Sequence, residues 1–309
     1  MKFEKWLNKN CQSLKGKRVV VTGATGGLGR EICDYLARLE ADITLACRNQ
    51  VLADKLSEEL RGKYPNINVD FVALDLSNLD SVKTCIKEIK KYKGIDILIN
   101  NAGVYNVPLK TLDSGYNNVF QINFVYTYYL TKELLPELEK KEGSTCITLG
   151  SVAHNYSKIA SEDIDFSSSK KSSKIYGNSK RFLMFSLYEL FKDSKVNLAI
   201  VHPGVTLTNM TNHYPKAINW LVKIGIKLVF PSPKNATRSI IWGTSMPTAY
   251  HEWLGPSIFK VWGKPKKSKL TTCSEEESRQ IFLIAEEIYN KISNMWGEVY
   301  KTKLSNLEI

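Results

Sequence analysis

The sequence predicts an α/β fold in which one doubly wound parallel sheet is flanked by helices. Three observations predict it. Short apolar runs such as Arg18–Thr22 (RVVVT) and Asp96–Asn100 (DILIN) alternate with stretches whose apolar residues recur at helical spacing. The runs are nearly continuous in apolar residues, which is how strands buried on both faces read. No stretch repeats with a period of about 20 to 50 residues, which argues against a solenoid or propeller. Strand–helix alternation of this kind implies right-handed crossovers with helices on both faces.

The elements follow in chain order. Phe3, Trp6 and Leu7 share one helical face, so a short docked helix is expected in the N-terminal extension, residues 1–16. Arg18–Thr22 is the first strand, and Leu28, Ile32, Leu36 and Leu39 mark the helix beyond its glycines. Asp42–Cys47 (DITLAC) is the second strand, with a polar helix near Val51–Arg61. Ile67–Leu74 is the third, with a helix after Asn78, and Asp96–Asn100 is the fourth. A long helix is expected from about Tyr116 to Leu138, open to a break near Asn123. Thr145–Leu149 is the fifth strand, Ile175–Phe191 a helix, and Val196–His202 (VNLAIVH) the sixth strand. Asn155–Lys174, rich in Ser, Lys and Asp, reads as a surface insertion. Lys170–Lys171 and Lys264–Lys269 read as short basic loops, and Glu275–Tyr300 as a helical tail. One domain over 1–309 is expected: core 17–205, a substrate lid and following helix over 206–250, and a tail over 251–309.

The chain carries a net charge of +12 and a pI near 9.2. No arginine-rich run interleaved with aromatics is present, so a lysine-rich solvated surface is preferred to nucleic-acid binding. Six cysteines (Cys11, Cys33, Cys47, Cys85, Cys146 and Cys273) show neither CxxC nor metal-ligand spacing. A reducing compartment and no metal are expected. No signal-peptide core and no stretch of about 18 apolar residues occurs, so a soluble cytoplasmic protein is expected.

Thr22-Gly23-Ala24-Thr25-Gly26-Gly27-Leu28-Gly29 joins the first strand to the first helix. A tight turn needs residues without Cβ, and a backbone that must approach a pyrophosphate needs them again. The helix start then offers free N–H groups to phosphate. The spacing T-G-x-x-x-G-x-G resembles the short-chain dehydrogenase/reductase family, whose fold is Rossmann-type. Asn100-Asn101-Ala102-Gly103 matches that family's N-N-A-G, Tyr176-Gly177-Asn178-Ser179-Lys180 its Y-x-x-x-K, and His202-Pro203-Gly204-Val205 its P-G turn. Asn123 and Ser151 fall where the family places its other two catalytic residues.

The resemblance covers about Lys17–Pro247 and implies a hydride-transferring oxidoreductase. It implies cofactor contacts at Thr22, Gly23, Thr25, Gly27, Leu28, Gly29, Asp75, Leu76, Asn101, Ala102, Gly103, Tyr176, Lys180, Pro203, Gly204, Val205, Thr206 and Thr208. The second strand ends in Cys47-Arg48-Asn49, with no carboxylate to hold a ribose 2′-hydroxyl. Arg48 can grip a 2′-phosphate, so NADP(H) is favoured and NAD(H) is the alternative.

The implied catalytic set is Asn123, Ser151, Tyr176 and Lys180. Tyrosine ordinarily titrates near 10, and lowering that by ~3 units needs roughly 4 kcal/mol. An ammonium ~4 Å away at an effective dielectric of about 20 supplies about that much. Lys180, one helical turn on from Tyr176, is the expected source, and Ser151, ending the fifth strand, would donate to the carbonyl oxygen. Asn123 would help hold a water for proton relay, as in the family. His154 is read as a loop residue.

Ser151 and Tyr176 are further apart than in many members, and with Cys47-Arg48-Asn49 and Ser151–His154 (SVAH) this resembles the retinol dehydrogenase-like branch. Gly150 departs from that branch, which usually has a serine there. The branch implies a bulky apolar substrate: a hydroxysteroid or ketosteroid first, a retinoid or other lipophilic aldehyde or ketone as alternative. Tyr214–Phe230 is expected to form the substrate lid, or alternatively a helix lying on a membrane surface. A homodimer through the long helices near Asn123 and Tyr176 is the usual family arrangement. A non-catalytic dinucleotide sensor is the rival reading, disfavoured because all four catalytic residue types are present.

Overall fold

A computed structural model describes residues 3–156, 162–169, 171–204, 233–258 and 261–305. The lid stretch Tyr214–Phe230 and the expected contacts Val205, Thr206 and Thr208 lie outside the described residues. Eight strands form one sheet in the order β3-β2-β1-β4-β5-β6-β7-β8. They are β1 (Arg18–Thr22), β2 (Asp42–Cys47), β3 (Val69–Ala73), β4 (Ile97–Asn100), β5 (Thr145–Leu149), β6 (Asn197–Val201), β7 (Glu252–Ile258) and β8 (Trp262–Lys269). β1 to β7 are parallel, and β8 returns antiparallel to β7. From β1 the chain winds outward through β2 and β3, then crosses to β4 and winds the other way. The reversal opens a crevice at the carboxyl ends of β1 and β4, where open α/β sheets bind ligands.

The β1 sequence RVVVT explains why both faces are covered. Val20 joins the core on one face, Val19 and Val21 the core on the other, and all three are fully buried. One face carries α2 (Gly27–Arg38), α3 (Gln50–Lys63), α7 (Pro233–Gly243) and the docked helix α1 (Phe3–Asn10). The other carries α4 (Leu79–Lys90), α5 (Tyr126–Glu139), α6 (Ser172–Leu190) and α8 (Glu275–Ser305). Asn49 and Asn78 cap α3 and α4, accepting from the N–H groups of Leu52 at 2.9 Å and Ser81 at 2.8 Å. Such caps contribute about 1 kcal/mol each.

The break near Asn123 takes a definite form. A short helical turn, Asn118–Phe120, is followed by a π-helical turn over Gln121–Val125, and only then does α5 begin. π-turns insert a residue and re-aim the side chains within them. Here the re-aimed side chain is Asn123.

Three expectations need correction. Lys264–Lys269 is not a loop: it belongs to β8. Gly263 and Pro265 argue against an interior strand, but an edge strand tolerates both, and lysines there blunt edge pairing. The tail over 251–309 therefore starts with a β-hairpin, and only α8 is helical. Asn155–Lys174 is not simply surface. Asp165 is buried and receives the backbone N–H of Asn117 at 2.6 Å, while Asn117 Nδ2 donates to the Asp165 carbonyl at 2.7 Å.

α8 also bears on the expected pairing face. It lies along α5 and α6: Tyr128 donates to Glu286 at 2.6 Å, Tyr289 donates to Glu133 at 2.6 Å, and Lys132 pairs with Glu286. Arg181, almost fully buried, pairs with Glu277 at 2.6 Å. The helices near Asn123 and Tyr176 are thus covered by the chain's own C-terminal helix. Among the described residues no helix is long and apolar enough to cross a membrane, and no group of His, Cys, Asp and Glu could hold a metal ion.

Candidate active site

The glycine turn after β1 divides its labour. A Cβ on Gly29 would lie 2.3 Å from the Gly23 carbonyl oxygen and 2.8 Å from that of Ala24. That glycine lets α2 start directly against the turn. A Cβ on Gly27 would meet nothing within 4 Å, so the space before it is open. Gly23 has φ +64°, a conformation that favours glycine. The N-cap of α2, Gly26, offers no side-chain cap, unlike Asn49 and Asn78 before α3 and α4, and the first turn of α2 holds no acid. An uncapped helix start facing open space fits a pyrophosphate.

Other residues at the crevice have evident packing partners. The Thr22 hydroxyl donates to the Ile99 carbonyl at 3.3 Å and accepts from the N–H groups of Asn101 and Ala102, both at 3.0 Å. Asn101 Nδ2 donates to the carbonyls of Thr22 at 2.8 Å and Gly23 at 3.2 Å. The two residues latch β1 to β4 at the reversal point. Thr25 contacts the Cys47 thiol, linking the turn to the end of β2, where Arg48 is exposed. Asp75 accepts from the Ser77 N–H at 2.9 Å and Ser77 hydroxyl at 2.7 Å, and Leu76 is buried beside it. Gly204, after Pro203, has φ +84°, and a Cβ there would lie 3.0 Å from the Val261 carbonyl oxygen. The glycine turn thus abuts Ala102 of the loop after β4, where a Cβ on Gly23 would lie 3.0 Å from the Ala102 Cα, and the exposed Arg48 and the uncapped start of α2 are residues that would hold the phosphates of a dinucleotide.

Beside the loop after β4, Asn123, Ser151, Tyr176 and Lys180 come together. Ser151 is carried by the end of β5, Tyr176 and Lys180 by one face of α6. The Ser151 hydroxyl is within hydrogen-bonding reach of the Tyr176 phenol. Lys180 is buried, donates to the Leu149 carbonyl at 2.9 Å, and has its Nζ 5.9 Å from the Tyr176 ring centre. A Cβ on Gly103 would lie 3.8 Å from that Nζ and 3.1 Å from Asn123 Oδ1, so this glycine keeps the space beside the lysine clear.

The electrostatics differ from the expectation of an activated phenol. Burial pushes the Tyr176 phenol up to about 12, the neighbouring Ser151 hydroxyl acts the other way, and Tyr105 adds to the rise. Burial likewise pushes the Lys180 ammonium down to about 8. The Lys180 ammonium is not among the groups that act on the phenol; its hydrogen bond goes to the Leu149 carbonyl. At neutral pH the phenol is protonated and set to give a proton, while the lysine stays largely charged.

Asn123 is fully buried, and both N–H groups of its amide are used, on the Val104 carbonyl at 2.9 Å and on Ser179 Oγ at 3.1 Å. Its Oδ1 accepts the Val104 N–H at 2.8 Å. Ser179 in turn donates to the Tyr176 carbonyl at 2.7 Å. Asn123 therefore ties the loop after β4 to the helix of the tyrosine. Sequence reasoning missed Ser179 and Tyr105, whose ring meets Tyr176 edge-on at 5.0 Å. Ser179 sits inside the Y-x-x-x-K match, but nothing in the spacing distinguishes it. His154 is buried in the turn Val152–Tyr156, bonded to the Ser151 carbonyl at 2.6 Å and Thr272 Oγ at 2.8 Å, and burial lowers its pKa. At Gly150 a Cβ would lie 2.8 Å from Met184 Sδ and 3.2 Å from Ile200 Cγ2, so Met184 fills the space a serine would need.

The chain is similar to known proteins in sequence and in fold. A family model described as short chain dehydrogenase matches residues 17–219. Retinol dehydrogenase 13 of Homo sapiens is 34% identical over 206 residues, 65% of this chain and 62% of the relative. The match thus spans less than two thirds of that relative's length. A solved structure from Mycobacterium Paratuberculosis, titled a putative uncharacterized protein, shares the fold with a TM-score of 0.72 at 23% identity, covering 91% of this chain and 96% of that one. L-sorbose reductase from Gluconobacter frateurii, solved with NADPH and L-sorbose, shares it with a TM-score of 0.58 at 20% identity, covering 75% and 91%.

Proposed function

The chain belongs to the short-chain dehydrogenase family, and from that membership we propose that it transfers a hydride between a nicotinamide dinucleotide and the carbonyl or alcohol of a bulky lipophilic substrate. The convergence of Ser151, Tyr176 and Lys180 beside Gly103, in the loop that the glycine turn abuts, carries this reading. When bound, the nicotinamide supplies or takes the hydride. Ser151 donates a hydrogen bond to the substrate oxygen, and Tyr176 gives that oxygen its proton. The charge on Lys180 stabilises the phenolate left behind. Asn123 and Ser179 keep the loop after β4 and the catalytic helix in one position.

The protonated phenol can donate a proton, as carbonyl reduction requires of it. The exposed Arg48 and the absence of a carboxylate after β2 support NADP(H) over NAD(H). A retinoid substrate gains support from the likeness to retinol dehydrogenase 13, and a hydroxysteroid is the second reading. The cover that α8 gives α5 and α6 argues against a homodimer formed through those helices. A screen of retinaldehydes, ketosteroids and small aldehydes with NADPH and NADH tests the proposal. We expect oxidation of NADPH by a lipophilic carbonyl; no turnover of any carbonyl with either cofactor would overturn it.

A further inference from the structure

The hairpin of β7 and β8 carries a surface that hydride transfer does not use. At its tip Ile258 and Trp262 face each other across the strands and are 52% and 38% exposed. The Val261 N–H donates to the Ile258 carbonyl at 3.0 Å and closes the turn. From Trp253 to Ser274 the sequence holds no Asp or Glu, but it holds Lys260, Lys264, Lys266, Lys267 and Lys269. Lys264, Lys266 and Lys269 are exposed.

Lysines on an edge strand blunt unwanted strand pairing. That accounts for charge on β8 in general. It does not account for two large apolar side chains exposed at the tip, nor for an acid-free stretch. An apolar tip backed by lysines is complementary to an anionic lipid surface: an indole sits at headgroup level, and lysines near the surface feel its negative potential. Nucleic acid would use the lysines and leave Ile258 without a role. Lys264 and Lys266 lie two and four residues from Trp262, within about 7 and 14 Å at the usual strand rise. The first is inside the screening length of physiological salt, and the second is beyond it but still near the surface.

Position gives the surface a purpose. β7 runs parallel to β6, so its end at Ile258 lies at the same end of the sheet as Ser151 and Gly204. Gly204 approaches the hairpin so closely that a Cβ there would lie 3.0 Å from the Val261 carbonyl oxygen and 3.3 Å from Pro256 Cγ. The hairpin therefore lies against Gly204, at the same end of the sheet as the candidate active site. We propose that Ile258, Trp262 and the exposed lysines of β8 dock this protein on an anionic bilayer surface, with the candidate active site's end of the sheet turned toward the lipid. Docking itself does not depend on the hydride-transfer reading; only its use in collecting a lipophilic substrate does.

The test is flotation of the full chain with phosphatidylcholine vesicles with and without phosphatidylserine. Binding to the phosphatidylserine vesicles is expected. Ile258→Ser/Trp262→Ser should weaken it by about 30-fold, since two partly inserted apolar side chains are lost. Lys264→Gln/Lys266→Gln should weaken it by about 20-fold. Thermal midpoints and turnover of a small water-soluble aldehyde should match the parent protein in both variants, which separates a failure of docking from a failure of catalysis. Absence of binding to either vesicle, binding that both double variants retain, or displacement by duplex RNA that is insensitive to Ile258→Ser/Trp262→Ser would overturn the proposal.

Discussion

Replacing Lys180 by methionine should make the protein more stable while removing its activity. Lys180 is buried on α6, and burial lowers its pKa from 10.5 to about 8. The folded state therefore holds fewer protons than the unfolded state between those values, and stability rises with pH through that window. Below about 8 the full cost of the buried charge is present, about 3 kcal/mol at ~1.4 kcal/mol per pKa unit. Methionine has a similar length and no charge. It forfeits the bond to the Leu149 carbonyl, which takes back about 1 kcal/mol. The net gain at pH 7 is about 2 kcal/mol, or roughly 3 °C for a chain of about 300 residues. Near pH 10.5 the folded lysine is neutral and the unfolded one half charged, so the cost of the buried charge has fallen below about 0.5 kcal/mol and the gain should vanish. Urea unfolding of parent and variant at both pH values measures this. A variant less stable than the parent at pH 7, or a gain equal at both pH values, would refute the reasoning. The trade of stability for a charged group in the cleft is what a working site requires.

Further outcomes follow from the proposed cofactor contacts. Arg48→Ala should weaken NADPH binding by about 10- to 100-fold, the worth of a charge-assisted hydrogen bond, and leave NADH binding nearly unchanged; titration of both nucleotides checks it. Gly27→Ala should fold normally yet bind dinucleotide poorly, because its Cβ would enter open space at the start of α2. Gly29→Ala should lower stability by a few kcal/mol, since its Cβ would strike the Gly23 and Ala24 carbonyls; thermal unfolding separates the two.

Most of the parallel sheet was legible in the sequence because strands buried on both faces must be apolar throughout. RVVVT, DITLAC and TCITL admit no other register of burial, and β1, β2 and β5 fall where those runs do. β7 and β8 were not legible. EWLGPSI carries Gly255 and Pro256, and WGKPKKSK has almost no apolar residue. Neither reads as a strand until β6 supplies a neighbour and the edge position tolerates proline and lysine. At the site, spacing placed Tyr176 and Lys180 on one helix face and Ser151 at a strand end, all of which are local facts. It could not show how far Lys180 reaches or what competes for it. That depends on the Leu149 carbonyl, which only the packing of α6 on β5 brings near. Ser179 and Tyr105 escaped for the same reason: each acts through a contact between distant segments.

The central claim is that Tyr176 is the proton donor in a reaction whose cofactor is held elsewhere, and one variant tests it most directly. In Tyr176→Phe, NADPH affinity measured by fluorescence titration should stay within about threefold of the parent, while carbonyl turnover falls by at least about 100-fold, as loss of a positioned general acid requires. A variant that keeps its turnover would contradict the account.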